Sequence, residues 1–266
     1  MVEVGRGACH DADMSAADPR DLDDAVAMVR EAGELTMRWF RSASLAVDAK
    51  GDGTPVTDAD RAAERLLRER IAERWPDDAI TGEEEADRPG TSGRTWIIDP
   101  IDGTKTFTCG VPLYTNLLAL HDADGAVIGV INVPALGICV WAGRGLGCFE
   151  NGEPVRVSDR STLQGAYLSS SGFDHWEDEA LLAAKAAGVH LRTWGDGYGF
   201  VLVATGRIDA MVDPLAAAWD VAPMPVILAE AGGRFTDIAG NDGMGTGGAI
   251  ATNGILHDEI LRLVGR

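Results

Sequence analysis

Helical and strand-like segments alternate along the whole of this chain, and that alternation excludes both an all-helical bundle and an all-β sandwich. Leu22, Val26, Val29, Gly33, Leu35 and Trp39 fall at helical spacing and predict a helix over about 21–40. A second helix is predicted to follow Val56-Thr57-Asp58, carrying Ala62, Leu66, Leu67 and Ile71 as far as Trp75-Pro76, with Thr57 or Asp58 as N-cap and Asp60 in the first turn. Between the two, residues 50–55 are rich in turn formers and read as a mobile loop. From Trp96 to Phe149 the pattern is mostly strands: Trp96-Ile97-Ile98, then 113–120, 126–133 and 138–142, with Asn151-Gly152 as a hairpin signal. After Ser158, predicted strands at 166–169, 191–194 and 208–212 alternate with helices near 178–187, 199–204, 220–231 and the C-terminus. The expected class is α+β or α/β, in an N-terminal half of 21–157 and a C-terminal half of 158–266. Residues 1–20, acidic and without an apolar signal core, read as a disordered tail in which Met14 is an alternative start.

Charge and composition exclude several function classes. A net charge of −19 leaves no basic footprint for a nucleic-acid polymer. No apolar run approaches the roughly 18 residues of a membrane span. The four cysteines (Cys9, Cys109, Cys139 and Cys148) form no C-x-x-C pair and have no histidine cluster beside them, so they read as buried or semi-buried thiols of a reducing cytoplasm. Phosphorylated small molecules remain open as substrates, provided that a bound cation offsets the acidity.

Three acidic clusters each sit at the end of a regular element: Gly82-Glu83-Glu84-Glu85, Asp99-Pro100-Ile101-Asp102-Gly103-Thr104, and Trp219-Asp220. In the second, an apolar run ends at Asp99, as a buried strand would deliver a carboxylate to its rim. Pro100 stiffens the turn, Asp102 can point back toward Asp99, and Gly103 permits close approach of the backbone. If Gly103-Thr104 opens a short helix, its free amides make an anion site. Taken alone, this segment is equally an acidic turn whose aspartates cap the local backbone. Beside the other two clusters, with oxygen donors and no His or Cys, it favours Mg²⁺ or Mn²⁺ over zinc. Glu84 and Glu85 are left outside the site.

The ordered set Val56-Thr-Asp-Ala-Asp60, Gly82-Glu83-Glu84, Trp96 to Thr104, Trp219-Asp220 and Glu230-Ala-Gly-Gly233 resembles the inositol monophosphatase superfamily over about 22–264. The resemblance implies an alternating αβαβα layered sandwich, a homodimer, and hydrolysis of a phosphate monoester with two or three Mg²⁺ ions. It further implies that Glu83, Asp99 and the Ile101 carbonyl hold one metal, that Asp99, Asp102 and Asp220 hold a second, and that Glu83 serves a loosely held third. Thr104 with Asp60 would position the attacking water, the Gly103 and Thr104 amides would receive the phosphate, and Lys50 would lie on a flap near the metals.

For the ester itself, Thr54 to Arg61, Asp102-Gly-Thr-Lys105 and Ala251 to Glu259 are similar to the bacterial histidinol-phosphatase branch. Asp196, in Trp194-Gly-Asp-Gly-Tyr198, offers a carboxylate to an amino-bearing alcohol, and Asp213 stands where relatives carry a substrate-touching Glu. The chain departs from the branch at Thr106, at Asp213-Pro214 and in the small Ala216-Ala217-Ala218 wall, which leaves inositol phosphate or a nucleotide or aminonucleoside monophosphate as alternative substrates. A non-catalytic metal- or phosphate-binding regulator is the reading from another class; retention of every motif acid and of Thr104 argues against it.

Overall fold

The structure, a computed structural model, describes residues 15–42, 45, 47–49, 55–245 and 247–264. The disordered tail expected over 1–20 falls mostly outside them, as does Lys50, but its last residues are ordered. Ala17 is buried, its amide donates to the Arg144 carbonyl, and the Arg144 guanidinium donates to the Ser15 carbonyl. Helix α1 (Pro19–Thr36) then opens on Asp18, whose carboxylate accepts from the Arg20 amide. It stops short of residue 40 because the Thr36 hydroxyl bonds back to the Gly33 carbonyl and the chain tightens into turns, with Arg38 N–H donating to Leu35 and Trp39 N–H to Thr36.

A ribbon of β1 (Val47–Ala49) and β2 (Pro55–Thr57) leads into α2 (Asp58–Arg74). The first half continues through β3 (Ala79–Gly82), β4 (Thr95–Asp102), α3 (Thr104–Thr108), β5 (Thr115–Asp122), β6 (Gly125–Val133), β7 (Ile138–Gly143), β8 (Gly147–Glu150) and β9 (Glu153–Pro154). The second half holds β10 (Tyr167–Ser169), α4 (Asp178–Ala186), β11 (His190–Arg192), α5 (Gly197–Ala204), β12 (Ala210–Asp213), α6 (Ala218–Val221), α7 (Met224–Glu230), β13 (Arg234–Thr236), β14 (Ala249–Thr252) and α8 (His257–Val264).

Strands β3 to β9 form one sheet in sequence order, parallel at β3–β4 and antiparallel elsewhere. The second sheet runs β11-β10-β12-β14-β13, parallel on its β11-β10-β12 side. The two-residue period of the strands sorts their side chains between layers. On β5, Leu118 and Leu120 pack with α1 and α2, whereas Leu117 packs with α5 and α7. On β12, Met211 joins that same central layer, while Ala210 and Val212 turn to α4 and α8. The outcome is the expected αβαβα sandwich.

Three expectations are corrected. Strand β4 does not end at Asp99; it runs to Asp102, with a register shift between the two aspartates that absorbs Pro100, a residue with no amide to give. The single helix expected over 220–231 is two, because Pro223 separates α6 from α7. Cys109 is exposed, while Cys139 and Cys148 are buried and have their thiols pushed up to about 11 and about 12 by burial. Among the described residues no helix is long and apolar enough to cross a membrane.

Candidate active site

Two elements of the first half and two of the second bring the motif acids to one cavity of about 800 Å³. Strand β4 delivers Asp99 and Asp102, both buried, and the half-buried Asp220 sits in α6. One carboxylate oxygen from each lies within 4.8 Å of the other two. Glu83, just beyond β3, lines the same cavity, as do Ile101, Gly103 and Thr104. Asp196 and Asp213 line the cavity too, as do the apolar side chains of Leu215, Ala216, Ala217 and Trp219.

Crowding of carboxylates away from water is costly, and the ionisation equilibria record it. Burial, then the charges of Glu83, Asp102 and Asp220, push Asp99 well above the ordinary carboxylate range. Burial, then Asp196 and Asp220, do the same to Asp102, against hydrogen bonds from Thr115 and Gly197. Asp220 is pushed up to about 6, mainly by burial, against the Ala217 amide. Oδ1 of Asp99 is buried without a hydrogen-bond partner. An orphaned carboxylate oxygen at the convergence of three acids is what a bound cation resolves, and an all-oxygen donor set suits a hard divalent ion.

One oxygen each of Asp102 and Asp220 is fixed by the protein. Oδ2 of Asp102 accepts from Thr115 Oγ1 at 2.6 Å and from the Gly197 amide of α5, so this one atom ties the two halves together. Asp220 Oδ2 caps its own helix through the Ala217 amide at 2.8 Å. Asp60, fully buried in the first turn of α2, divides its work. Oδ2 accepts from Thr57 N–H and Oγ1 in a capping box, and Oδ1 faces Thr104 Oγ1 at 3.4 Å. The Thr104 hydroxyl is also 3.1 Å from the Ile101 carbonyl. Burial raises the Asp60 carboxyl above its ordinary value despite the Thr57 bonds. Gly103 caps α3 with φ of +80°, and a side chain there would strike the Asp196 carboxylate.

Asp196 is the strained residue of the site, with φ 54° and ψ −153°. That region is open essentially to glycine alone and costs on the order of 1–3 kcal/mol for another residue. Its Oδ2 accepts from Thr106 Oγ1 at 3.1 Å. Asp213, at the end of β12, has both oxygens engaged: Oδ1 accepts from Ser171 N–H (2.7 Å) and Ser170 Oγ (3.2 Å), and Oδ2 from Ser171 Oγ (2.6 Å). It lines the cavity but is committed to the loop after β10.

Sequence reasoning passes over Glu64, which at i,i+4 from Arg68 looks like a pair on a helix surface. In the fold it is fully buried: it accepts from the Glu84 amide (2.7 Å) and the Glu85 amide (3.0 Å), and Arg68 donates to it and to the Glu85 and Ala86 carbonyls. The pair clamps the turn that carries Glu83. Glu230, part of a motif, is not in the cavity; its carboxylate accepts from the Gly145 and Gly147 amides at the β7–β8 turn.

A family model described as the inositol monophosphatase family matches residues 18–266. The chain belongs to that family. It is a family of metal-dependent phosphatases, and the chain is accordingly a phosphoric monoester hydrolase. Among its relatives, a histidinol-phosphatase of Chlorobaculum parvum is 41% identical, over 92% of this chain and 96% of that protein. One from Mycobacterium tuberculosis is 40% identical, over 91% and 96%. Of solved structures, the Thermotoga maritima IMPase superposes with a TM-score of 0.83 at 30% identity, covering 92% of this chain and 96% of that one.

Proposed function

We propose that this chain is a Mg²⁺-dependent histidinol-phosphate phosphatase, converting L-histidinol phosphate to L-histidinol. The observation that carries the choice of ester is Asp196, a carboxylate set against the Gly103 turn, in a chain whose relatives of about 40% identity are named histidinol-phosphatases. In this reading Glu83, Asp99, the Ile101 carbonyl, Asp102 and Asp220 hold the cations. Bound Mg²⁺ supplies Lewis-acid charge to the phosphoryl and leaving oxygens and a water of lowered pKa. The Gly103 and Thr104 amides receive the phosphate at the head of α3. Thr104 Oγ1 passes its proton toward Asp60 Oδ1 while accepting one from the attacking water, which fixes the line of attack. Asp196 takes the substrate ammonium in a charge-assisted hydrogen bond, and Leu215, Ala216, Ala217 and Trp219 exclude water from the rest of the alcohol.

The same reading places the work in histidine biosynthesis, as a cytoplasmic homodimer acting on a small metabolite rather than on a nucleic acid or a membrane. It assigns most of the metal ligands to the 21–157 half and the alcohol pocket to the 158–266 half. Family resemblance supports these assignments, and Mn²⁺ is expected to substitute for Mg²⁺. The test is phosphate release with Mg²⁺ from L-histidinol phosphate, inositol 1-phosphate and nucleoside monophosphates in parallel. Preference for histidinol phosphate is expected. Preference for either of the others sinks the substrate assignment, and no release from any ester with metal bound sinks the enzyme.

A further inference from the structure

We propose that Asp213 and Ser171 are positioning residues that hold Asp196 over the phosphate-receiving turn, and so set selectivity for an ester whose alcohol carries a positive charge. This rests on the substrate reading above and gives Asp213 a different part from direct contact with substrate.

The geometry is a relay. Asp213 ends β12, the neighbour of β10 in the sheet, so its carboxylate meets the chain just past β10. There it receives three hydrogen bonds, two of them from Ser171. With its proton given to Asp213, the Ser171 hydroxyl presents a lone pair outward, and that oxygen accepts the Asp196 amide at 2.9 Å. Trp176 Nε1 donates to Ser170 Oγ and the Trp194 amide to Ser169 Oγ, so the two serines before Ser171 are fixed as well. The backbones touch too: a side chain at Gly195 would lie 2.3 Å from Ser171 Cα.

A strained residue persists only where its surroundings over-determine it. At Asp196 the surroundings are the Ser171 hydroxyl on its amide, the Thr106 hydroxyl on its carboxylate, and the Asp102 carboxylate on the next amide, that of Gly197. The last two belong to the phosphate and metal side of the cavity. Asp213 and Ser171 therefore supply the constraint that comes from the alcohol side. Both oxygens of Asp213 accept from loop donors, so the carboxylate is fixed in place and its link to Asp196 runs through the Ser171 hydroxyl.

The experiment compares Ser171→Ala, Ser171→Thr and Asp213→Asn with the unaltered full chain in Mg²⁺, using L-histidinol phosphate and the uncharged-alcohol ester β-glycerophosphate. Ser171→Ala and Asp213→Asn are expected to lower the ratio of kcat/KM for histidinol phosphate over glycerophosphate by about tenfold or more, mainly through KM. Ser171→Thr, which keeps the hydroxyl, should restore it. In an Asp196→Ala background, Ser171→Ala should leave the ratio where Asp196→Ala put it. An unchanged ratio in Ser171→Ala, or an equal fall for both esters, overturns the relay. Hydrogen exchange at the Asp196 amide gives a readout free of turnover: protected in the unaltered chain and in Ser171→Thr, exposed in Ser171→Ala. Should the unaltered enzyme prefer the uncharged ester, the substrate reading fails, while equal amide protection in all variants separately refutes the relay.

Discussion

Gly197→Ala sets two physical rules against each other. Near a helix start, glycine to alanine ordinarily stabilises a protein by about 0.4–1 kcal/mol, because the unfolded chain loses freedom. At this position an added methyl would sit 2.3 Å from Thr115 Oγ1, 2.8 Å from Asp102 Oδ2 and 3.2 Å from Leu117 Cδ2. Two of those three atoms belong to the hydrogen-bonded cluster that fixes Asp102, and all three lie on β4 or β5 in the sheet, so none can swing into solvent. Relief requires α5 to move back by roughly an ångström, which also stretches the bond from the Gly197 amide to Asp102. Overpacking costs about 1–3 kcal/mol and a hydrogen bond to a charged group contributes about 1.5–3 kcal/mol. Net of the entropic gain, a loss of about 1.5–5.5 kcal/mol is expected, seen as a fall in Tm of roughly 3–10 °C for a chain of this length. Metal affinity should fall about tenfold to a hundredfold, as when groups that orient a ligand are removed. Calorimetric melting of the metal-free protein and Mn²⁺ titration by electron paramagnetic resonance measure the two effects separately. A variant that melts higher and binds Mn²⁺ unchanged refutes the close-contact reasoning.

Three further outcomes are expected. Asp99→Asn should abolish phosphate release and strongly weaken Mn²⁺ binding, since this residue is the most crowded of the acids; ordinary turnover would contradict a shared-ligand site. Thr104→Ala should lower kcat with little change in the Mg²⁺ concentration needed for half-activation, and an unchanged kcat would remove its water-orienting role. His257 is buried between the Thr236 and Thr252 hydroxyls, and burial, then Arg234, depresses its pKa to about 4 from 6.5. The folded state thus favours the neutral ring, so its contribution is complete above pH 6.5 and is lost as pH falls toward 4. Urea unfolding at pH 7.5 and pH 5 should show the stability difference between the natural chain and His257→Gln shifting by about 2 kcal/mol, and a pH-independent difference would refute this.

Motif acids were legible because a metal site of this kind is written as carboxylates at the ends of elements, and Asp99, Asp102, Asp220 and Glu83 do share one cavity. The long strands of the first sheet were legible because they are near-continuous buried apolar runs bounded by turn residues. Short strands were legible unevenly: β10, β11 and β12 were read, whereas β3, β13 and β14, also of three or four residues, were not. Nor could sequence separate the two functions of Asp60, because N-capping and facing Thr104 ask for the same residue at the same place and use different oxygens. What stayed hidden were partners distant in the chain. Glu64 reads as half of a surface ion pair until the Glu84 and Glu85 amides arrive about twenty residues later. Asp213 reads as a substrate-touching acid until Ser171 is placed against it, and only the fold sets the Gly197 amide beside Asp102.

Glu230 separates being recognisable from being active. Its carboxylate clasps the amides of the β7–β8 turn at 2.7 and 2.8 Å, and no atom of it lines the cavity. That clasp serves folding and asks nothing of the metal acids, so a chain that had lost them would still have use for it. A genome search keyed to Glu-Ala-Gly-Gly will therefore gather working phosphatases and silent paralogues alike. Sorting one from the other takes the residues that converge on Asp99.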